Sequence, residues 1–164
     1  MIPVLTFDIE TIPDTDGLAK LYALPPDTPA DEVVEIAFQR RRIATGSDFL
    51  QHHVHRVLVI SCALRSDEGF HVWSLSGEDE AANVQRFFDG IEKYTPQLVS
   101  WNGGGFDLPV LHYRSMVHGI SAPRYWDMGE DDRDFKWNNY LSRYHTRHLD
   151  LMDLLALYQP RANV

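Results

Sequence analysis

An apolar run near the N-terminus, residues 3–11, contains two acids, Asp8 and Glu10. Its β-branched and aromatic residues are typical of a β-strand. Side chains at positions i and i+2 of a strand lie on one face, about 7 Å apart. Two carboxylates on one face of a buried strand are costly unless a cation lies between them, and a divalent metal ion is the simplest such cation. The alternative is that the strand ends by Phe7 and that both acids are solvated turn residues.

Length and composition limit the kinds of protein that this chain can be. Its 164 residues, 44% of them apolar, suffice for one domain with a sizeable core. No apolar run reaches the roughly 20 residues of a membrane span and no secretory signal pattern is present, so we expect a cytoplasmic location. The single cysteine, Cys62, excludes an internal disulfide and a cysteine zinc cluster. The net charge of −9 argues against a broad basic surface for nucleic acid, but not against an enzyme that meets phosphates through bound metal.

The order of predicted elements indicates a mixed α/β fold in a single domain, residues 1–164. After the first strand comes an insertion, residues 14–56, which is too long for a simple loop and contains a helix predicted from Pro29 to about Arg42. A β-hairpin, a helix, a short strand, a second helix, and a last strand leading into a helix follow. In an open α/β sheet the functional crevice lies at the carboxyl ends of the parallel strands.

A glycine-rich segment supplies a third acid. Asn102 is followed by three glycines, Phe106 and Asp107, between a short strand and a helix predicted from Leu108 to His118. If the first and fourth strands are parallel neighbours, Asp107 meets the two acids of the first strand at one edge of the sheet. Three converging carboxylates suit Mg²⁺ or Mn²⁺ rather than zinc. The alternative is that Asp107 only caps its helix.

Other polar and aromatic groups leave two interpretations open. The basic end of the insertion helix, Arg40-Arg41-Arg42, is either a solvated helix end or a patch that contacts phosphates. Aromatic residues among bases between positions 121 and 147 either stack on single-stranded nucleic acid or pack that segment onto the core. We predict that the nearby histidines lie at the surface, because no partner acid or cysteine completes a zinc site. They are His52, His53 and His55.

Two motifs together resemble a known family. The first is Phe7-Asp8-Ile9-Glu10-Thr11, and the second is Asn102, three glycines, Phe106 and Asp107. In this order they are similar to the first two motifs of the DEDD-type 3′-5′ exonucleases. Within these, the chain most resembles the proofreading domains of family-B DNA polymerases and a stand-alone bacterial family related to them. The resemblance covers most of the chain and implies a ribonuclease H-like fold, with a mixed central sheet flanked by helices.

The resemblance also implies a role for each motif residue. Asp8 would bridge two ions of Mg²⁺ or Mn²⁺, Glu10 would hold one of them, and Asp107 would support the other through water. A neutral general base would orient the attacking water. The residues implied to contact the 3′-terminal nucleotide or the strand being trimmed are Thr11, Ile12, Asn102 and Phe106.

The chain departs from the family pattern in its third motif, which carries a fourth acid as Tyr-x3-Asp or His-x4-Asp. No Tyr-x3-Asp is present, and the two His-x4-Asp matches, His145 to Asp150 and His148 to Asp153, leave Asp150 and Asp153 as the candidates. Asp150 falls on a predicted strand, before the helix that should carry the motif. We therefore expect the fourth acid and the last helix to lie beyond Val164, and the 164-residue form to have impaired activity.

The leading hypothesis is a metal-dependent exonuclease that trims the 3′ end of single-stranded DNA by a two-metal mechanism. One rival is a non-catalytic nucleic-acid-binding module of the same fold, and another is a two-metal phosphoesterase that acts on RNA or small nucleotides. A polymerase or repair partner is compatible with the resemblance, and no membrane association is expected.

Overall fold

A five-stranded mixed sheet forms the centre of the molecule, which we analysed as a computed structural model that describes residues 1–77 and 79–159. The strand order is β3-β2-β1-β4-β5. Neighbours β1 and β2, and β2 and β3, are antiparallel, whereas β4 is parallel to both β1 and β5. The strands are β1 (Val4–Pro13), β2 (His55–Ser66), β3 (Gly69–Ser76), β4 (Gln97–Ser100) and β5 (His148–Asp150).

Helices connect these strands and cover one face of the sheet. The α-helices are α1 (Thr15–Leu21), α2 (Ala30–Thr45), α3 (Glu80–Tyr94), α4 (Asp107–His118), α5 (Pro123–Trp126) and α6 (Leu151–Leu155). Short 3₁₀ helices lie at His52–Val54 and Arg133–Lys136. Within the described residues, no helix is long and apolar enough to cross a membrane. The predicted class, a mixed central sheet flanked by helices, is confirmed.

Strand β1 is the middle strand and has two different faces. Leu5, Phe7 and Ile9 are buried, whereas Asp8 and Glu10 between and after them are exposed. This alternation has the period of two that a strand imposes. The strand continues to Pro13, so the interpretation that it ends by Phe7 is wrong. Both acids lie within a hydrogen-bonded strand and on the same face.

The main core lies between the sheet and the helices α3 and α4. Phe7 of β1 packs against Phe87 of α3, with their ring centroids 5.1 Å apart. From α4, Leu108 and Leu111 enter the same core. Burying side chains of this size is favourable by about 1.5–3 kcal/mol each. The core therefore fixes α4, and with it Asp107, relative to β1.

The insertion between β1 and β2 forms a second, smaller core. It occupies residues 14–54, close to the predicted 14–56, because β2 begins at His55. The buried residues of this core are Leu18, Val33, Ala37, Leu50 and Val54. The sequence predicts the longer helix α2 but misses α1, a helix of only seven residues whose N-terminus is capped by Asp14.

A buried ion network joins the insertion to the main core. Arg114 of α4 donates to both carboxylate oxygens of Glu80 at the start of α3, and to Asp14 Oδ2 at 2.7 Å. Glu80 also accepts a bond from the backbone N–H of Val57 at 2.6 Å. Burial disfavours the ionised Glu80 carboxyl, but its hydrogen bonds to Arg114, His118 and the Val57 N–H hold its pKa below the ordinary value. Three chain segments that are far apart in sequence thus meet at one guanidinium.

We predict that Arg114→Met lowers the free energy of unfolding by about 3–5 kcal/mol, because it leaves Glu80 buried without its cation. The double variant Arg114→Met/Glu80→Gln should recover part of this loss, since no unpaired charge then remains at Glu80. Urea unfolding followed by tryptophan fluorescence measures both values. A loss below about 1 kcal/mol in the single variant would show that the network is not a major contribution to stability.

Candidate active site

Asp8 and Glu10 lie side by side on the solvent-facing side of β1. Their direct cross-strand neighbours in β2 are Ser61 and Val59, respectively. Ser61 is small and exposed, so the carboxylate of Asp8 is open to solvent. The ladder between β1 and β2 is irregular immediately after Glu10, where one extra β2 residue interrupts the register. The pair predicted from the i, i+2 spacing is therefore present at the surface of the sheet.

Asp107 reaches β1 from the first turn of α4. Its side chain is only 4% exposed, and Oδ1 accepts a hydrogen bond from the backbone N–H of Ile9 at 3.1 Å. This contact is possible because β1 and β4 are parallel neighbours, with Thr6 opposite Val99. The alternative that Asp107 only caps its helix is wrong, since its carboxylate bonds to the strand between the two acids.

Asp107 is buried near two other carboxylates, those of Asp8 and Asp150. Burial and, after it, the nearby Asp8 carboxylate raise the pKa of its carboxyl from an ordinary value of 3.8 to about 6. Asp150 acts in the same direction, whereas the Ile9 N–H opposes the shift. A buried carboxyl beside another carboxylate is stabilised in its ionised form by a cation. Asp8 and Asp107 thus share one electrostatic environment.

The oxygen atoms of these carboxylates are suitable ligands for a hard divalent ion, because Mg²⁺ and Mn²⁺ prefer oxygen ligands. Asp8 and Asp107 would hold the ion, and Glu10 on the same strand face would supply a further oxygen. In residues 1–77 and 79–159, however, no three acid, histidine or cysteine side chains stand close enough together to form a ready metal site. The structure therefore brings Asp8 and Asp107 together but does not bring Glu10 into a three-acid cluster with them.

The glycine segment before Asp107 makes a tight turn that requires small residues. A Cβ atom on Gly103 would lie 2.2 Å from Ser100 Oγ, which is too close for any other residue without rearrangement. Asn102 has a positive φ of 57°, and its carbonyl accepts the N–H groups of Gly105 and Phe106. The turn leads directly into α4, so its shape determines the position of Asp107, the first residue of that helix.

Asp150 holds this turn from the adjacent strand β5. Its carboxylate accepts the backbone N–H groups of Asn102 at 2.9 Å and Gly104 at 3.1 Å, and it also accepts the N–H of Met152. Asp153, the other fourth-acid candidate, is paired with Arg143 through two bonds of 2.7 and 2.9 Å. Both acids are thus engaged in bonds to the protein, and among the described residues neither completes a cluster of three acids with Asp8, Glu10 or Asp107.

The histidines of the two His-x4-Asp matches also have partners. His148 Nε2 lies 2.8 Å from Ser100 Oγ, and His145 Nδ1 accepts the N–H of Asn139 at 3.0 Å. Burial lowers the pKa of His148, so the ring is held neutral near pH 7. A cavity of about 540 Å³ lies beside these groups, lined in part by Arg143, His148 and Asp150, but the acids Asp8, Glu10 and Asp107 do not line it.

The residues predicted to contact substrate are close to the acids in the sequence. Thr11 follows Glu10, and its Oγ1 lies 3.0 Å from His55 Nδ1. Ile12 is 40% exposed at the end of β1. Phe106 precedes Asp107 and is half-buried. Their contact with a nucleotide stays a prediction, as does that of Asn102 in the glycine turn.

The surface prediction for the histidines is wrong at His55. This ring is buried, bonds to Thr11 and to the carbonyl of Leu50, and packs edge-on against Phe106 with centroids 5.1 Å apart. Burial lowers its pKa, and the neighbouring His52 and His53 lower it further. No local pattern in the sequence indicates this packing, because it joins the insertion to the glycine turn through tertiary contact alone.

We predict that Asp107→Asn stabilises the metal-free protein above pH 6. The folded-state pKa of about 6 exceeds 3.8, so ionisation of Asp107 costs stability as the pH rises through this range, by about 3 kcal/mol once complete. Asn keeps an oxygen that can accept the Ile9 N–H. Urea unfolding in EDTA at pH 7.5 and pH 4.5 should show a gain that shrinks at the lower pH.

The control for this prediction is Asp48→Asn, which changes an exposed acid of the insertion and should alter stability by less than about 0.5 kcal/mol at either pH. Equal stability of Asp107→Asn and the unsubstituted chain at pH 7.5 would contradict the electrostatic description of the site.

Comparison with known proteins adds independent information. The sequence pattern of a family described as predicted 3′-5′ exonucleases related to the exonuclease domain of PolB matches residues 47–164. The chain is 32% identical over 126 residues to the catalytic polypeptide of DNA polymerase epsilon from Saccharomyces cerevisiae, covering 71% of this chain and 5% of that protein. A family B DNA polymerase structure from the archaeon Pyrobaculum calidifontis matches 74% of this chain and 12% of its own, with a TM-score of 0.41 and 20% identity. By its sequence, the chain belongs to the family of predicted 3′-5′ exonucleases related to the exonuclease domain of PolB.

Proposed function

We propose that the acid site hydrolyses the 3′-terminal phosphodiester bond of single-stranded DNA with the help of Mg²⁺ or Mn²⁺. The observation that carries the proposal is the pairing of exposed Asp8 with buried Asp107, whose pKa is raised to about 6. Two carboxylates held together without a cation are costly, and divalent ions that also bind phosphate oxygens remove this cost. Membership in an exonuclease family supports the same chemistry.

Bound metal would supply an activated water and stabilise the developing charge on the leaving oxygen. The protein's own contribution is to keep the acids in place. The Ile9 N–H orients the Asp107 carboxylate, and the alternation of β1 presents Asp8 and Glu10 to the same solvent side. Asp8, Glu10 and Asp107 would hold the divalent ions at this edge of the sheet.

Substrate contacts follow from the residues next to the acids. We assign Thr11 and Ile12 to the 3′-terminal nucleotide, and Asn102 and Phe106 to the strand being trimmed. The net charge of −9 gives the protein little general attraction for nucleic acid. Binding then depends on metal and local contacts, and trimming is expected to proceed with low processivity unless a polymerase or repair partner assists.

DNA is the favoured substrate because the yeast relative named above is a DNA polymerase. RNA, with the same phosphodiester chemistry, is the alternative. The rival function, a nucleic-acid-binding module without catalysis, gains weight from Asp150 and Asp153. Both bond to the protein rather than complete a four-acid site within the described residues. For this reason we expect residues 1–164 alone to bind metal weakly and to cleave slowly.

The test is a 5′-labelled single-stranded DNA incubated with Mn²⁺ and two forms of the protein, residues 1–164 and the product of the gene read to its stop codon. We expect stepwise shortening from the 3′ end, faster with the longer form if the gene continues. Asp8→Ala should reduce the rate by at least about 100-fold, because the substitution removes a carboxylate that would hold the metal at the reacting phosphate.

Glu68→Ala is the matched control, since Glu68 is an exposed acid in the turn between β2 and β3. This variant should keep the full rate. If Asp8→Ala cleaves DNA at the same rate as the unsubstituted protein, the assignment of the acids as the active site is wrong. If every form of the protein binds the DNA and none shortens it, the non-catalytic module is favoured.

A further inference from the structure

We propose that Phe49 and His52 of the insertion, together with Phe106, form a stacking surface for unpaired bases of the substrate strand. We name these three residues the aromatic platform. The inference deepens the proposed function and rests on it, because it assigns a binding site for the nucleotides upstream of the cleaved end. Its ligand class is the unpaired nucleobase of a single strand.

The three rings are assembled around Phe106. The ring centroids of Phe49 and Phe106 lie 5.6 Å apart, and those of His52 and Phe106 lie 5.8 Å apart in an edge-on arrangement. Beneath them, the buried ring of His55 contacts Phe49 at 5.8 Å and Phe106 at 5.1 Å. Such tilted arrangements at about 4.5–7 Å are favourable between aromatic rings. The platform is therefore a packed layer rather than a chance exposure of one side chain.

Phe49 nevertheless presents much of its ring to water, with 56% of its surface exposed. An apolar ring at the surface loses the stabilisation that burial would provide. The next residue, Leu50, is buried in the core of the insertion, so the backbone at this point is anchored. Phe49 is thus an exposed ring on an anchored backbone that adjoins the ring of Phe106, as in the stacking surfaces of proteins that bind single strands.

The backbone of Phe49 is fixed by two hydrogen bonds. Arg41 Nε donates to the Phe49 carbonyl at 2.8 Å, and the Phe49 N–H donates to Ser47 Oγ at 3.1 Å. The bond from Arg41 also brings a guanidinium from the end of α2 to the platform. Stacking rings next to a cation are the elements by which proteins bind single strands without sequence preference. Arg41 thus connects the basic helix end to the platform.

The platform adjoins the acids through two short connections. Phe106 is the residue before Asp107, and His55 bonds to Thr11, the residue after Glu10. A strand whose 3′-terminal phosphodiester lies at the acids can therefore extend over Phe106 toward Phe49. The acids repel a polyanion, whereas bases stacked on the platform add affinity that does not depend on charge. The platform thus compensates for the negative charge of the site.

The test compares binding of a six-residue thymidine oligonucleotide with non-cleavable phosphorothioate linkages and of thymidine monophosphate, at low salt with Mn²⁺ present. We expect Phe49→Ala to weaken binding of the oligonucleotide by about 5- to 150-fold, the fold-change for one stacked base. Binding of the mononucleotide should change by less than about twofold. Phe70→Ala removes another exposed phenylalanine, on β3, and should leave both affinities unchanged.

Two more variants separate stacking from packing within the platform. Phe49→Trp keeps a ring and should bind the oligonucleotide as well as the unsubstituted protein does. Phe49→Leu keeps apolar contact with Phe106 but has no ring, so it should be as weak as Phe49→Ala. If Phe49→Leu binds as the unsubstituted protein does, or if Phe49→Ala and Phe70→Ala have equal affinities, the platform proposal is wrong.

Failure of the proposed function gives a different result. In that case the unsubstituted chain binds no oligonucleotide and cleaves none with Mn²⁺, which overturns the platform as well. If instead the unsubstituted chain binds or trims the strand and Phe49→Ala matches it, only the platform is refuted.

Discussion

The hydrogen bond from the Ile9 N–H to Asp107 is the contact on which the site depends. It joins the middle strand of the sheet to the first turn of α4, and its acceptor is a carboxylate that burial and Asp8 make costly to ionise. The parallel pairing of β1 and β4 places the two elements side by side. Packing of α3 and α4 under the sheet then holds the carboxylate where its charge meets that of Asp8.

Other acids of the chain stabilise this arrangement through hydrogen bonds and ion pairs. Asp150 fixes the glycine turn that precedes Asp107 and α4. Arg114 of α4 is in turn bonded to Glu80 of α3 and to Asp14 of the insertion. Helix α4 is thus held at its beginning by the turn and near its end by an ion network. The insertion in turn reaches the acid site through the contacts of His55 with Thr11 and Phe106.

The parts of this structure that depend on local pattern could be predicted from the sequence. Alternation along β1 indicates which face carries Asp8 and Glu10, and the glycine turn followed by a helix predicts the position of Asp107. The role of Asp150 could not be predicted, because its bond to Asn102 joins residues 48 positions apart. The same limit applies to Phe49 and His55, whose contacts with Phe106 depend on how the insertion folds back. Helix α1 is too short for its apolar period to be recognised.

We infer that Asp8 and Asp107 form one electrostatic unit that accepts a cation. Its most direct test is the pKa of the Asp107 carboxyl, measured by ¹³C NMR in the metal-free protein, in Asp8→Asn, and with added Mg²⁺. We expect a pKa of about 6 in the metal-free protein, a lower value in Asp8→Asn, and a marked decrease with Mg²⁺. A pKa near the ordinary 3.8 that responds to neither change would contradict it.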